Sequence, residues 1–214
     1  MRLFLSSYRF GNHAQRYGEL VGTGKRIAII TNAQDVYADL ALRQEKVAET
    51  IAELQEVGLH GEELDLRHYF NEVDNLAVKL HEYDGLWVRG GNSFVLRKAM
   101  RYSGFDTVIG QLLLEDKLVY GGYSAGACVT AVDMHGLDLC DEPTATPEGY
   151  GPEIVWEGLG ILDYAIVPHY KSDHPESALV DKTVAYMDQH KLSYKTLHDN
   201  EVLIVNGVNA EILS

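Results

Sequence analysis

Short, nearly continuous apolar runs alternate along this chain with longer stretches of helical period, and that alternation leaves few folds open. Arg2-Leu-Phe-Leu-Ser6 and Arg26-Ile-Ala-Ile-Ile30 read as buried strands. A strand that is apolar on both faces must be covered on both faces, which is the condition of a mostly parallel sheet between helical layers. After Asp35, the residues Val36, Leu40, Val47, Ile51, Leu54 and Val57 share one helical face, with Gly58 as the stop. Leu64-Asp-Leu66 reads as a short strand and 73–81 as a helix. Gly85-Leu-Trp-Val88 is the next strand; it runs into Gly90-Gly91, and helical period follows over 93–102. A helix over 107–114 leads to a strand at Leu118-Val-Tyr120. Residues 164–167 read as a strand, and 175–190 as a helix carrying Pro175 in its first turn. The tail from Lys195 to Leu213 reads as strands joined by an Asn206-Gly207 hairpin turn. Residues 141–158, rich in Pro, Gly and Glu, read as a long surface loop or small flap near the site. The expectation is one α/β domain over 1–214, with its functional groups at the carboxyl ends of strands.

Charge and cysteine usage narrow the function. The 18 basic residues stand against 32 acidic ones, a net charge of −14. That balance offers no basic stripe for a phosphate backbone and no attraction to an anionic membrane. Cys128 and Cys140 match no metal or redox spacing, so neither a disulfide framework nor a metal cofactor is expected. The apolar run in MRLFLSSYRFG is too short for a signal peptide, and no stretch is long enough to span a membrane. A cytoplasmic protein is the expectation.

Three strand ends carry the chemistry. Gly121-Gly-Tyr-Ser-Ala-Gly-Ala127 fits G-x-S-x-G after a strand and before a helical start, the setting of a nucleophile elbow. The backbone turns sharply there, so the positions two before and two after Ser124 must be small, and Gly122 and Gly126 meet that need. Ala125, at the helix start, can offer its N–H to an oxyanion. Trp87-Val-Arg-Gly-Gly-Asn-Ser-Phe94 is a second glycine-bearing strand end, with Asn92 or Ser93 as the helix cap and the Gly91 N–H as a second oxyanion donor. Ile166-Val-Pro-His-Tyr170 sets His169 at a third strand end, where it can serve as general base. His174 reads as the flank of the following helix, and His169, Asp173 and His174 have no strong metal-ligand spacing. The imidazole needs an acid to fix its tautomer. Asp199, between two late strands, is the leading candidate; Asp138 and Asp141 are its rivals, and Glu201 is weaker.

Taken in order, GGNSF, GGYSAGA, VPHY and LHDNE resemble the peptidase E family of aspartyl dipeptidases. The resemblance implies a flavodoxin-like fold related to class I glutamine amidotransferases: a mostly parallel sheet, helices on both faces and a C-terminal hairpin. It also implies Ser124 as nucleophile, His169 as base, and Gly91 and Ala125 as oxyanion donors. The family's acid maps to Asp199, or loosely to Asp138 or Asp141. Small peptides are the implied substrate, with no cofactor, and a homodimer is an open assembly. One departure bears on specificity. Aspartyl preference is associated with an arginine after the catalytic histidine, and 174–191 contains none; Lys171 or Lys182 would have to compensate without a bidentate fork. A cyanophycinase-like hydrolase and a non-catalytic amidotransferase-like binding module are the alternatives.

Overall fold

A computed structural model describes residues 1–37 and 39–214, without the side chain of Leu40. The strands are β1 (Arg2–Ser6), β2 (Arg26–Ile30), β3 (His60–Glu63), β4 (Gly85–Val88), β5 (Val119–Tyr123), β6 (Ala165–Val167), β7 (Tyr194–Thr196), β8 (Val202–Asn206) and β9 (Asn209–Leu213). The helices are α1 (Ala14–Val21), α2 (Leu40–Glu56), α3 (Val73–Leu80), α4 (Ser93–Ser103), α5 (Phe105–Leu114), α6 (Ala125–Cys128) and α7 (Ser177–His190). Seven strands form one sheet in the order β3-β2-β4-β5-β1-β8-β9. Its first five strands are parallel, and β8 and β9 run antiparallel as the C-terminal hairpin.

Alternation along each strand divides the core into two layers. Leu3, Leu5, Ala28, Ile30, Leu86, Val88 and Tyr120 face one side, where α3 to α7 bring Leu76, Leu96, Leu112, Ala127 and Val180 onto them. Phe4, Ile27, Ile29, Trp87 and Val119 face the other, under Tyr17 of α1 and Leu54 of α2. Phe10 stacks on Trp87 with centroids 3.8 Å apart, closing that second layer. Both faces of the central strands are thereby dry, as their continuous apolar runs require.

Several local readings are corrected. The strand expected at Leu64-Asp-Leu66 lies earlier, at His60–Glu63, and Leu66 opens a 3₁₀ turn. β3 is the sheet edge, so its polar HGEE sequence needs no buried face. Helix α2 begins at Leu40, where the Asp39 carboxylate accepts the Leu42 N–H at 2.9 Å, leaving Val36 ahead of the helix. Val47 and Leu54 are buried as the pattern predicts, whereas the Leu40 side chain lies outside the described residues. Pro175 precedes α7 instead of occupying its first turn. The hairpin turn is Gly207-Val208, one position beyond the expected Asn206-Gly207.

The largest difference concerns β6 and β7. They leave the main sheet and pair with each other in parallel, Val167 opposite Thr196. That small sheet extends as the Leu197 N–H bonds the Val167 carbonyl at 3.0 Å and the Tyr170 N–H bonds the Leu197 carbonyl at 3.1 Å. Parallel pairing sends both chains the same way, so His169 and Asp199 emerge side by side beyond the paired ends.

Candidate active site

A cavity of about 580 Å³ opens at the carboxyl ends of β4 and β5. That volume falls within the roughly 300–1,000 Å³ of small-molecule sites. Ser124 and His169 both line it. Each is a non-glycine residue at positive φ, 50° for Ser124 and 59° for His169. Such backbone costs on the order of 1–3 kcal/mol and persists only where its surroundings enforce it.

At Ser124 the enforcement is visible. Its N–H donates to the Ser6 carbonyl at 3.2 Å, tying the turn to the end of β1. One residue later α6 begins, and the Ala127 and Cys128 N–H groups both return to the Ser124 carbonyl. A Cβ on Gly126 would stand 2.2 Å from the Val88 carbonyl oxygen, so the turn can close only on glycine. In the facing loop, a Cβ on Gly90 would lie 2.9 Å from the Ser124 Cβ. Gly91, at φ +143°, would drive a Cβ to 2.4 Å from the Ala33 carbonyl oxygen. Both glycines of this loop are therefore needed, one for its neighbour's side chain and one for its own backbone. Asn92, not Ser93, caps α4 by accepting the Val95 N–H at 2.9 Å. The N–H groups of Gly91 and Ala125 have no acceptor among the described residues; Ala125 opens α6, where the first amides characteristically lack one, and Gly91 lies in the loop ahead of the α4 cap.

His169 is 2 % exposed. Its Nδ1–H donates to Asp199 Oδ1 at 2.6 Å, since a carboxylate can only accept. Ser7 knits the pair to β1: its hydroxyl donates to Asp199 Oδ1 at 2.9 Å and accepts the His169 N–H at 2.7 Å. Ser172 Oγ accepts the Asp199 N–H at 2.9 Å. The rivals are engaged elsewhere. Asp138 accepts the Gly136 N–H, and Asp141 accepts both the N–H and hydroxyl of Ser93. No hydrogen bond joins Ser124 to His169 among the described residues.

His174, expected only as a helix flank, lies flat against His169, centroids 3.8 Å apart and planes 9° from parallel. Tyr8 meets the edge of the same ring at 6.4 Å. His169, His174 and Glu176 carry three ligand-type atoms within 4.8 Å of one another, without Asp173. A metal bound through imidazole lies close to the ring plane, and two stacked parallel planes cannot share one ion. As placed, the cluster is a stacking contact. Burial pushes the His169 pKa below its ordinary 6.5; the Asp199 hydrogen bond opposes this and the charge of His174 reinforces it.

Cys128 and Cys140 supply no rival nucleophile. Burial raises both thiols, and the Cys128 Sγ is packed 3.5 Å from the Ile166 carbonyl. Neither lysine suggested as a substitute for the missing arginine lines the cavity: Lys171 sits over the Tyr170 ring at 4.9 Å and Lys182 is exposed on α7. The 141–158 segment is irregular, as expected, but it is held down. Lys98 Nζ donates to the Ala145 carbonyl at 2.8 Å, Arg97 Nε to that of Glu157 at 2.8 Å, and the Tyr150 hydroxyl bonds Asp35. Ser7, Tyr8 and His174 carried no motif; the only signal for Ser7 was its place at the end of β1.

Known proteins resemble this chain in sequence and in fold. The family model of Peptidase family S51 matches residues 12–213. An uncharacterized peptidase of Listeria innocua is 28% identical over 152 residues, 71% of this chain and 68% of the relative. Peptidase E of Streptomyces coelicolor is 32% identical over 114 residues, 53% of this chain and 43% of the relative. A solved structure from Listeria monocytogenes EGD-e, assigned to peptidase E, superposes with a TM-score of 0.80 at 23% identity, covering 99% of this chain and 97% of that one. The shared fold is the mostly parallel sheet with its helical layers. No helix among the described residues is long and apolar enough to cross a membrane.

Proposed function

Because the chain belongs to peptidase family S51 and is thus a peptide hydrolase, we propose that it cleaves small peptides through an acyl-enzyme on Ser124, with His169 as general base and Asp199 as the orienting acid. The observation that carries this reading is the 2.6 Å bond from His169 Nδ1 to Asp199, on the wall of the cavity that Ser124 also lines. With Nδ1 holding the proton, Nε2 is the basic nitrogen.

In the first half-reaction Ser124 Oγ attacks the scissile carbonyl carbon as its proton passes to His169 Nε2. Charge develops on the carbonyl oxygen, and the Gly91 and Ala125 N–H groups are the available donors for it, each worth roughly 3–4 kcal/mol in sites of this type. His169 then protonates the departing amine. Water attacks the acyl group with His169 again taking the proton, and the carboxylic acid leaves. The Ser124–His169 hydrogen bond is expected to form as substrate closes the cleft, as catalytic bonds commonly tighten on binding. A cytoplasmic location and a peptide as the sole ligand belong to the same reading.

An activated ester tests the covalent step. Mixing with p-nitrophenyl acetate should give a burst of nitrophenolate stoichiometric with enzyme, followed by slower turnover. Linear release from time zero at high enzyme concentration, with no acyl adduct trapped by acid quench, would count against an acyl-enzyme.

The pH profile offers an independent check. The neutral imidazole is the working form, and its pKa in the folded protein lies below the ordinary 6.5. Activity should therefore hold as pH falls to that value and decline only beneath it. His174→Ala removes a contribution that lowers the His169 pKa, so the acid limb should move upward. An acid limb of kcat/KM centred above pH 7 in the wild type, or unmoved by His174→Ala, would contradict the role given to His169.

A further inference from the structure

Arg89 directly follows β4, immediately before the Gly90-Gly91 loop, and lines the same cavity as Ser124. It is 5 % exposed. Its Nη1 is held by two acceptors on α2, the Lys46 carbonyl at 2.7 Å and the Thr50 hydroxyl. The guanidinium lies over the ring of Tyr123, the residue before Ser124, at 5.8 Å. Nε and Nη2 have no acceptor among the described residues, and Nε is buried in that state. The cavity's other strong cations are neutralised within the protein. Arg43 pairs with Asp35, with Glu63 at 3.0 Å and with Asp65 at 3.5 Å; Lys46 pairs with Glu49 at 2.7 Å. Among the described residues Arg89 has no carboxylate within ion-pair distance: Glu49 and Glu53 act on it only through space, their own contacts being with Arg9 and Lys46.

A buried cation with no counter-ion in contact is costly, and a fold tolerates it where a ligand supplies the missing contact. Guanidinium geometry favours a carboxylate, which can accept from two N–H groups at once. The bonds to α2 fix the fork before substrate arrives, so little side-chain freedom is lost on binding. From these observations, and resting on the reading of this cavity as the peptidase site, we infer that Arg89 is a specificity-determining residue that binds a carboxylate of the peptide substrate. The anion can be the side chain of an acidic residue or the free C-terminus of a short peptide. In either case the reader directly follows β4, well ahead in the chain of the arginine-free 174–191 segment.

Two peptide pairs distinguish the sources: Asp-Leu against Asn-Leu for the side chain, and Ala-Leu against Ala-Leu amide for the terminus. The wild type should prefer the carboxylate member of at least one pair by about 10- to 100-fold in kcat/KM, as expected for a charge-assisted hydrogen bond. Arg89→Gln should collapse that preference to near parity, acting mainly on KM, while fluorophosphonate labelling of the variant is retained. Equal use of both members of both pairs by the wild type would overturn the inference, as would a preference unchanged in Arg89→Gln. Should Arg89→Gln lose labelling, Arg89→Lys decides: it retains the charge without the fork, so labelling should persist and the preference should fall at least severalfold. An unchanged preference in Arg89→Lys overturns the assignment. Failure of the wild type itself to label would instead strike at the reading of the cavity as the active site.

Discussion

Ser124→Ala is expected to abolish peptide hydrolysis, lowering kcat by about 10⁴- to 10⁶-fold, with thermal stability close to that of the wild type. The loss should be this large because, in the proposed mechanism, the hydroxyl forms the covalent intermediate. Cys128, the nearest thiol in sequence, is buried and its pKa is raised, so it supplies no thiolate. Alanine at 124 keeps a Cβ where the serine has one, and the elbow's own restraints are backbone: the Ser6 carbonyl and the close approach of Gly126 to Val88. Circular dichroism and melting curves should therefore overlay those of the wild type. Residual hydrolysis within about tenfold of wild type would place the nucleophile elsewhere.

Asp199→Asn is the second large effect, a fall in kcat of about 10⁴-fold with KM little changed. An asparagine can accept the Ser7 hydroxyl bond, but it can equally turn its amide toward His169 and draw the proton from Nδ1 to Nε2. The imidazole then presents a donor to Ser124 where an acceptor is required. Asp138→Asn and Asp141→Asn should stay within about tenfold of wild type, because their carboxylates serve Gly136 and Ser93. An Asp141→Asn enzyme as impaired as Asp199→Asn would remove Asp199 from its place beside the base.

How much of this could be read beforehand depended on the range of the interactions. β1, β2, β4 and β5 were legible because a strand buried on both faces must be apolar throughout. The elbow was legible because its constraint is local: a turn closing 2.2 Å from a neighbouring carbonyl admits only glycine at 126. β3 was misplaced because an edge strand has one partner and needs no apolar run, so the more hydrophobic Leu64-Asp-Leu66 drew the reading. Asp199 could be nominated by its position but not selected. Its selection rests on β6 pairing with β7 across some thirty residues of chain, and no periodicity records such a pairing. Ser7 and Arg89 were hidden for the same reason. Each matters through a contact with a distant segment: Ser7 with His169, 162 residues away, and Arg89 with Thr50, 39 residues away. Arg89 belongs to the stretch Trp87–Phe94, yet an arginine just past a strand end has no local mark that separates a buried ligand-reader from a solvated surface cation.

The central claim, that Ser124 forms the covalent bond to substrate, is tested most directly by mapping where a fluorophosphonate attaches. Wild-type protein should gain one adduct, found by peptide mass spectrometry on the fragment containing Ser124. Ser124→Ala should gain none under the same conditions. An adduct on another residue, or equal labelling of the two proteins, would contradict the account.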